Sequence, residues 1–154
     1  VDLDLLRKMK QAGFTSITYA MESGSNKVLR DVKKGITVEQ VENAVAWTKE
    51  AGIEVICNFI VGHPNETYED GLTTLEAIKR TKADRINFNN AVPYPGTELY
   101  EWIQKNGRFV IDVEEYLSLS WPGKSDTPFF ETDQFTRKEK EKILREGILI
   151  FRKK

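Results

Sequence analysis

A helix-strand unit occurs twice in this chain, and no other feature narrows the possible fold so far. Residues 9–24, MKQAGFTSITYAMESG, and 48–64, TKEAGIEVICNFIVGHP, share a helix end of the form Lys-x-Ala-Gly, an apolar strand, and a Gly that closes it. Gly13 and Gly52 stand where a helix stops and the backbone needs positive φ, so each reads as a C-terminal cap. Thr37 and Gln40 have capping-box spacing ahead of Val41, Ala44, Val45 and Thr48, which share one helix face. Thr67, with Asp70 three residues on, starts a further helix striped by Leu72, Leu75 and Ile78, and ADRINFNNAV then supplies a third strand. Strands joined by helices of this length run parallel with right-handed crossovers. The fold class is therefore α/β, a parallel sheet belonging to a barrel or to a doubly wound sheet.

The pattern changes after Pro93. PYPGTELYEWIQKNG predicts a turn and a short helix capped by Thr97 and stopped at Gly107, which places a boundary between residues 1–107 and 108–154. The later part reads as a peripheral extension: a turn-rich segment, then a terminal helix with Thr136 and Glu139 in capping-box spacing and TRKEKEK as a solvated face.

Twenty-three basic residues nearly cancel 24 acidic ones, which argues against a dedicated nucleic-acid binder. No apolar run is long enough to cross a membrane as a helix. Cys57 is the only cysteine, so the chain can form no internal disulfide and cannot ligate a zinc or iron-sulfur centre through cysteines of its own. These features fit a cytoplasmic location. The chain opens at Val1 directly on a helical pattern, which suggests a piece of a longer protein.

One alternating set in each strand is apolar and should face the helices: Ile17, Tyr19 and Met21; Val55, Cys57, Phe59 and Val61; Ile86 and Phe88. The opposite set holds Thr18, Ala20 and Glu22; Ile56, Asn58 and Ile60; Arg85, Asn87, Asn89 and Ala91. A parallel sheet covered on both faces is almost wholly apolar, because a buried polar group without a partner costs about 1 to 3 kcal/mol. Glu22, Asn58 and Asn89 fall toward the carboxyl ends of their strands, the edge where α/β folds carry their sites. A polar ligand there would satisfy them; alternatively, the asparagines cap turns and bond one another. In IVGHPNET, Gly62 ends a strand and leaves the backbone open to a close ligand, although a plain βα loop has the same signature.

Taken together, YAMESGSNKVLRDVKKGIT, GIEVICNFIVGHPNETYED and INFNNAVPYPGTELY resemble the later half of the radical S-adenosylmethionine (SAM) enzymes. The likeness is to the class with an N-terminal cobalamin-binding domain, which includes the anaerobic magnesium-protoporphyrin monomethyl ester cyclases. The resemblance implies that residues 1–107 form the second half of a partial (βα) barrel that holds a four-iron cluster and SAM. Reductive cleavage of SAM would then make a 5'-deoxyadenosyl radical. By position, Glu22 matches the fourth-strand carboxylate that contacts the ribose or methionine part of SAM, with Ser23 beside it. Asn58, Ile60 and Val61 match the fifth-strand segment that flanks adenine, and Asn89, Ala91 and Val92 match the sixth-strand end near the base. The family's CxxxCxxC loop and its second-strand motif are missing from this sequence, so no metal ligand or catalytic residue is assigned and the piece alone should be inert.

Implied partners are the earlier half of the barrel, a cobalamin-binding domain and a small organic substrate, tetrapyrrole-like or other, undergoing cyclisation or methyl transfer. Isolated, the piece should associate through its uncovered sheet edge. His63 reads as a solvated turn residue or, less simply, as an acid or base, while Trp47, Trp102 and Trp121 read as packing residues, Trp121 with access to a cavity. Two other readings stay open: a cluster-free barrel lyase or aldolase using Glu22 or His63, and a non-catalytic interaction domain.

Overall fold

The computed structural model describes residues 1–124 and 127–152, so residues 125–126 of the turn-rich segment and 153–154 of the extension lie outside the described residues. The elements α1 (Leu3–Gln11), β1 (Ser16–Glu22), α2 (Asn26–Asp31), α3 (Val38–Glu50), β2 (Glu54–Val61), α4 (Tyr68–Arg80) and β3 (Arg85–Asn90) alternate as the repeat requires. They are followed by α5 (Glu98–Asn106), β4 (Arg108–Phe109), α6 (Val113–Leu117), a 3-10 turn (Pro122–Lys124), β5 (Phe130–Glu131) and α7 (Arg137–Arg152). Gly13 and Gly52 have φ of 95° and 74°, so both copies of the unit stop their helix in the left-handed region. Capping boxes open α3 at Thr37 and Gln40 and α4 at Thr67 and Asp70.

The first three strands pair in the order β1-β2-β3, all parallel, with Ala20, Asn58 and Asn87 in one row and Ile60 beside Asn89 in the next, while β4 and β5 form a separate antiparallel pair. Burial alternates strictly along β2: Val55, Cys57, Phe59 and Val61 are sealed, while Ile56, Asn58 and Ile60 are half-buried. The sealed set packs with Met21, Val41, Val45, Leu75 and Ile78 into one core beneath α3 and α4. The opposite face carries the amides and stays partly open, as a barrel segment does and a doubly wound sheet does not.

The extension is not peripheral at its last helix. Phe135, Ile143 and Leu144 belong to the same core, and α7 lies across α4 and β3. Close approach depends on two glycines: a Cβ at Gly147 would meet the Phe88 ring at 2.2 Å, and one at Gly71 would meet Ile143 at 3.0 Å. The charged run is likewise not a uniformly solvated face, because Lys140 is 2% exposed, donates to the Phe130 carbonyl at 3.1 Å and sits 3.5 Å from that ring's centroid.

Asp70 joins α2 to α4. It accepts from Ser25 Oγ at 2.7 Å, Lys27 Nζ at 2.7 Å and Thr67 N at 3.0 Å. Burial pushes its carboxyl up, but the bonds from Lys27, Ser25 and Thr67 outweigh it and bring the pKa from 3.8 to about 2. Asp70→Asn should cost about 2 kcal/mol at neutral pH, since it removes a charge-assisted bond and weakens the capping box. The folded pKa is depressed, so this contribution is present above the unfolded value and disappears as pH falls through about 2. Urea unfolding at pH 7 should separate the variant from the parent, and at pH 2 the two curves should converge.

Candidate functional site

The open face becomes a site at the carboxyl ends of the strands. The β1 register slips between Ala20 and Glu22, and Glu22 has φ of 66°, a strained value for a residue with a side chain. The Glu22 carboxylate accepts from Lys34 Nζ at 2.9 Å, with both side chains partly buried. Lys34 follows the short α2, which reverses the chain and returns this cation to the strand end. Nothing in the sequence signals that pairing except the compactness of the intervening SGSNKVLRDVKKG segment.

Next to this ion pair, a cavity of about 540 Å³ opens over β2 and β3. Asn58, Ile60, Asn87 and Asn89 form its floor, Ala91 and Val92 its end, and Tyr94, Leu99, Trp121 and Lys124 an outer wall. Asn87 donates to Asn58 Oδ1 at 2.9 Å and accepts from Lys124 Nζ at 3.2 Å, so the amides are partly paired with each other yet keep unused donors and acceptors. Among the eight candidate cofactor contacts, Asn58, Ile60, Asn89, Ala91 and Val92 line one cavity, with Glu22 on the neighbouring strand end.

Ser23 and Val61 are placed differently. Ser23 is fully buried, shares a hydrogen bond with Thr74 Oγ1 at 3.1 Å and accepts from Ser25 N at 3.1 Å, so its side chain fastens the strand end to α4. The Val61 side chain lies in the core at 2% exposure, which leaves only its main chain near the site; its carbonyl accepts from Ala91 N at 2.9 Å. Strand alternation sends the Val61 side chain to the helix side, and the bonds to Thr74 and Ser25 hold that of Ser23 there just past the end of β1.

His63 is not a solvated turn residue. It lines the cavity, and its Nε2 is sealed from solvent with no hydrogen-bond partner among the described residues. Burial pushes its pKa down; Glu22 opposes this, and Lys34 and Lys140 reinforce it, so the imidazole is neutral at pH 7. Behind it lies Glu66, whose Oε2 accepts from Gly62 N at 2.6 Å and His63 N at 2.9 Å. Burial pushes the Glu66 carboxyl up, against those two bonds and the charge of Lys140. Burial likewise pushes the Lys140 ammonium down, against Glu66 and Glu131.

Sequence reasoning missed this pair. Glu66 carried a signal in its place four residues beyond the strand-ending Gly62, within reach of the turn's free N–H groups. Lys140 carried one in its helical spacing to Ile143, Leu144 and Gly147, a stripe that turns inward.

Among the described residues, no group of three or more His, Cys, Asp or Glu side chains is placed to hold a metal ion, and Cys57 is buried in the core with its thiol pKa pushed up to about 11 by burial. The residues present therefore do not fit an iron-sulfur cluster. They do fit a zwitterionic nucleoside such as SAM, with an ion pair, partly paired amides and an apolar slot near one another. No helix among the described residues is long and apolar enough to cross a membrane.

Comparison with known proteins identifies the family and agrees with the fold. Over 146 residues the chain is 31% identical to an uncharacterised methyltransferase of Pyrococcus horikoshii, covering 94% of this chain and 30% of the relative. It is 28% identical to the anaerobic magnesium-protoporphyrin IX monomethyl ester cyclase of Rubrivivax gelatinosus, over 90% of this chain and 23% of that protein. The chain thus spans under a third of the length of these curated relatives. In fold it is similar to the coproporphyrinogen III oxidase of Escherichia coli, a radical SAM enzyme, with a TM-score of 0.66 at 19% identity over 99% of this chain and 30% of that one. The profile of the Radical SAM superfamily matches residues 1–88, the stretch that carries β1, β2 and most of β3. With three parallel strands, helices on one face and a polar site on the other, this chain belongs to the radical SAM superfamily.

Proposed function

We propose that this chain forms the SAM-binding side of an enzyme that carries out methyl transfer or ring closure on an organic, tetrapyrrole-like substrate. The reading is supported by Asn58 and Asn89 lining the 540 Å³ cavity while Glu22 stands at the end of the neighbouring strand. When bound, SAM supplies the sulfonium whose reductive cleavage starts the family's chemistry. Lys34 offers a cation to the methionine carboxylate, and Glu22 accepts from the ammonium or the ribose hydroxyls. Asn58 and Asn89 provide donors and acceptors to the nucleoside, and Ile60, Ala91 and Val92 provide an apolar surface for the base. Neutral His63 adds no positive charge beside the sulfonium.

Cluster ligands would come from chain beyond these 154 residues, and the resemblance to the cobalamin-domain class extends the proposal to cobalamin. Methyltransferase and cyclase relatives support the reaction class. Anaerobic reconstitution of the full-length protein should give an iron-sulfur chromophore and SAM-dependent 5'-deoxyadenosine; a full-length protein without a three-cysteine loop would refute the proposal.

Glu22→Gln should weaken SAM binding about tenfold or more, because a charged acceptor is worth roughly 1.5 to 3 kcal/mol to its donors. Calorimetric titration checks this, and an unchanged Kd would remove Glu22 from the site.

The remaining half of the barrel would dock along the outer edge of β1, which is unpaired in the three-stranded sheet. Beside that edge, Tyr19, Ile36, Val41, Ala44 and Trp47 line an apolar hollow of about 490 Å³. Isolated, the chain should therefore associate as concentration rises. Sedimentation velocity checks this, and a single monomeric boundary at every concentration would count against it.

A further inference from the structure

The outer wall of the cavity differs chemically from its floor. Tyr94 and Trp121 are 49% and 73% exposed, whereas Tyr116, Phe129, Phe130 and Phe135 from the same stretch of chain are sealed. Both exposed rings line the one cavity. Their positions are set by buried contacts: Tyr116 Oη donates to the Pro93 carbonyl at 2.5 Å, holding the turn before Tyr94, and Gly123 lies 3.6 Å, at its would-be Cβ, from the Asn90 carbonyl. Lys124, on the same 3-10 turn as Gly123, reaches over the floor to Asn87, and among the described residues no Asp or Glu lines the cavity. On the wall away from the Glu22–Lys34 pair, two exposed aromatic faces and one cation form a recognisable combination: rings that stack, and a charge that selects an anion.

We infer that Tyr94, Trp121 and Lys124 form the wall that takes the organic substrate, and that this substrate is a planar aromatic ring system bearing a carboxylate. The inference rests on the reading of the floor as a SAM site, and it gives the C-terminal extension a role in substrate choice. The ring lies against Trp121 and Tyr94, and its carboxylate meets the Lys124 ammonium, which exchanges its bond to Asn87 for a charged partner. Asn87 is then released to the ligand or to Asn58.

The test uses three probes on the full chain: pyrene-1-carboxylate, pyrene-1-methanol and cyclohexanecarboxylate. Pyrene anisotropy reports the first two, and cyclohexanecarboxylate is run as a competitor. Pyrene-1-carboxylate should bind saturably and more tightly than the alcohol, with little competition from cyclohexanecarboxylate. Trp121→Leu should weaken both pyrenes by up to about tenfold, the range of an aromatic contact. Lys124→Gln should weaken the carboxylate by about fivefold and leave the alcohol unchanged, which a merely structural lysine would not do.

Both substituted side chains are exposed, and an amide fingerprint spectrum checks that each variant folds. Equal binding of the acid to parent and Trp121→Leu overturns the inference, as does a Lys124→Gln effect that is the same for acid and alcohol. Displacement of the pyrene by SAM would assign the wall to the cofactor and also overturn it. Failure of SAM to bind, with the pyrene results as expected, would instead overturn the reading of the floor.

Discussion

Glu66→Ala should destabilise the chain by about 3 to 5 kcal/mol, the largest loss expected from any side chain at the site. The carboxylate is buried and holds the N–H groups of Gly62 and His63, and its removal leaves both without their acceptor. It also strips the buried Lys140 of the carboxylate that most favours its charge. The loop after β2 would lose its shape, and His63 with it, so ligand binding should fall together with stability.

Glu66→Gln separates shape from charge. The amide oxygen still accepts from the turn, so the cost is smaller and depends on pH. The folded pKa of Glu66 is raised to about 7, so the native state keeps a proton that the unfolded chain releases. That contribution is fully present below the ordinary carboxylate pKa and is lost as pH rises through about 7. The stability of the parent relative to Glu66→Gln should therefore fall between pH 5 and pH 8, read as urea midpoints. A pH-independent difference would mean that Glu66 titrates normally.

Gly24→Ala is the second large effect, and its cause is steric. A Cβ there would lie 2.6 Å from Ala77 Cβ, 2.8 Å from Thr74 Cα and 2.9 Å from the Thr73 carbonyl, all fixed to the backbone of α4. No flexible side chain stands in the way to be moved aside, so α4 must retreat from the strand end. Retreat stretches the bonds from Ser23 and Gly24 to Thr74 and from Ser25 to Asp70. The expected cost is about 3 kcal/mol, which for a domain of this size lowers Tm by about 6 to 12 °C.

Gly13→Ala is the contrasting variant. Its added Cβ would meet nothing within 4 Å among the described residues, so only the strain of φ at 95° remains, at about 1 kcal/mol. Thermal unfolding of the two side by side distinguishes close packing from backbone strain. Equal shifts would show that Gly24 is not a packing glycine.

Local chemistry along the chain determined the α/β unit, its helix caps and the two faces of its sheet. Lys-x-Ala-Gly forces a helix to stop, Thr37 and Thr67 start the next ones, and a two-residue period separates Val55, Cys57 and Phe59 from Asn58 and Ile60. Each of these depends on neighbours a few residues away, and for that reason the cavity-lining face of Asn58 and Asn89 was legible in the sequence.

The same period already placed Val61 in the core, so its side chain was never free for the site. Ser23 follows the register slip at Glu22, beyond the point where alternation can be extrapolated. Tertiary structure alone decided the rest. Lys34 meets Glu22 only because α2 folds back, Lys140 is buried only because α7 lies on α4 and β3, and Trp121 reaches the cavity only because the extension crosses β3. Contacts between residues far apart in sequence depend on how elements pack, and a charge or an aromatic ring reads the same in the chain whether packing leaves it in water or encloses it.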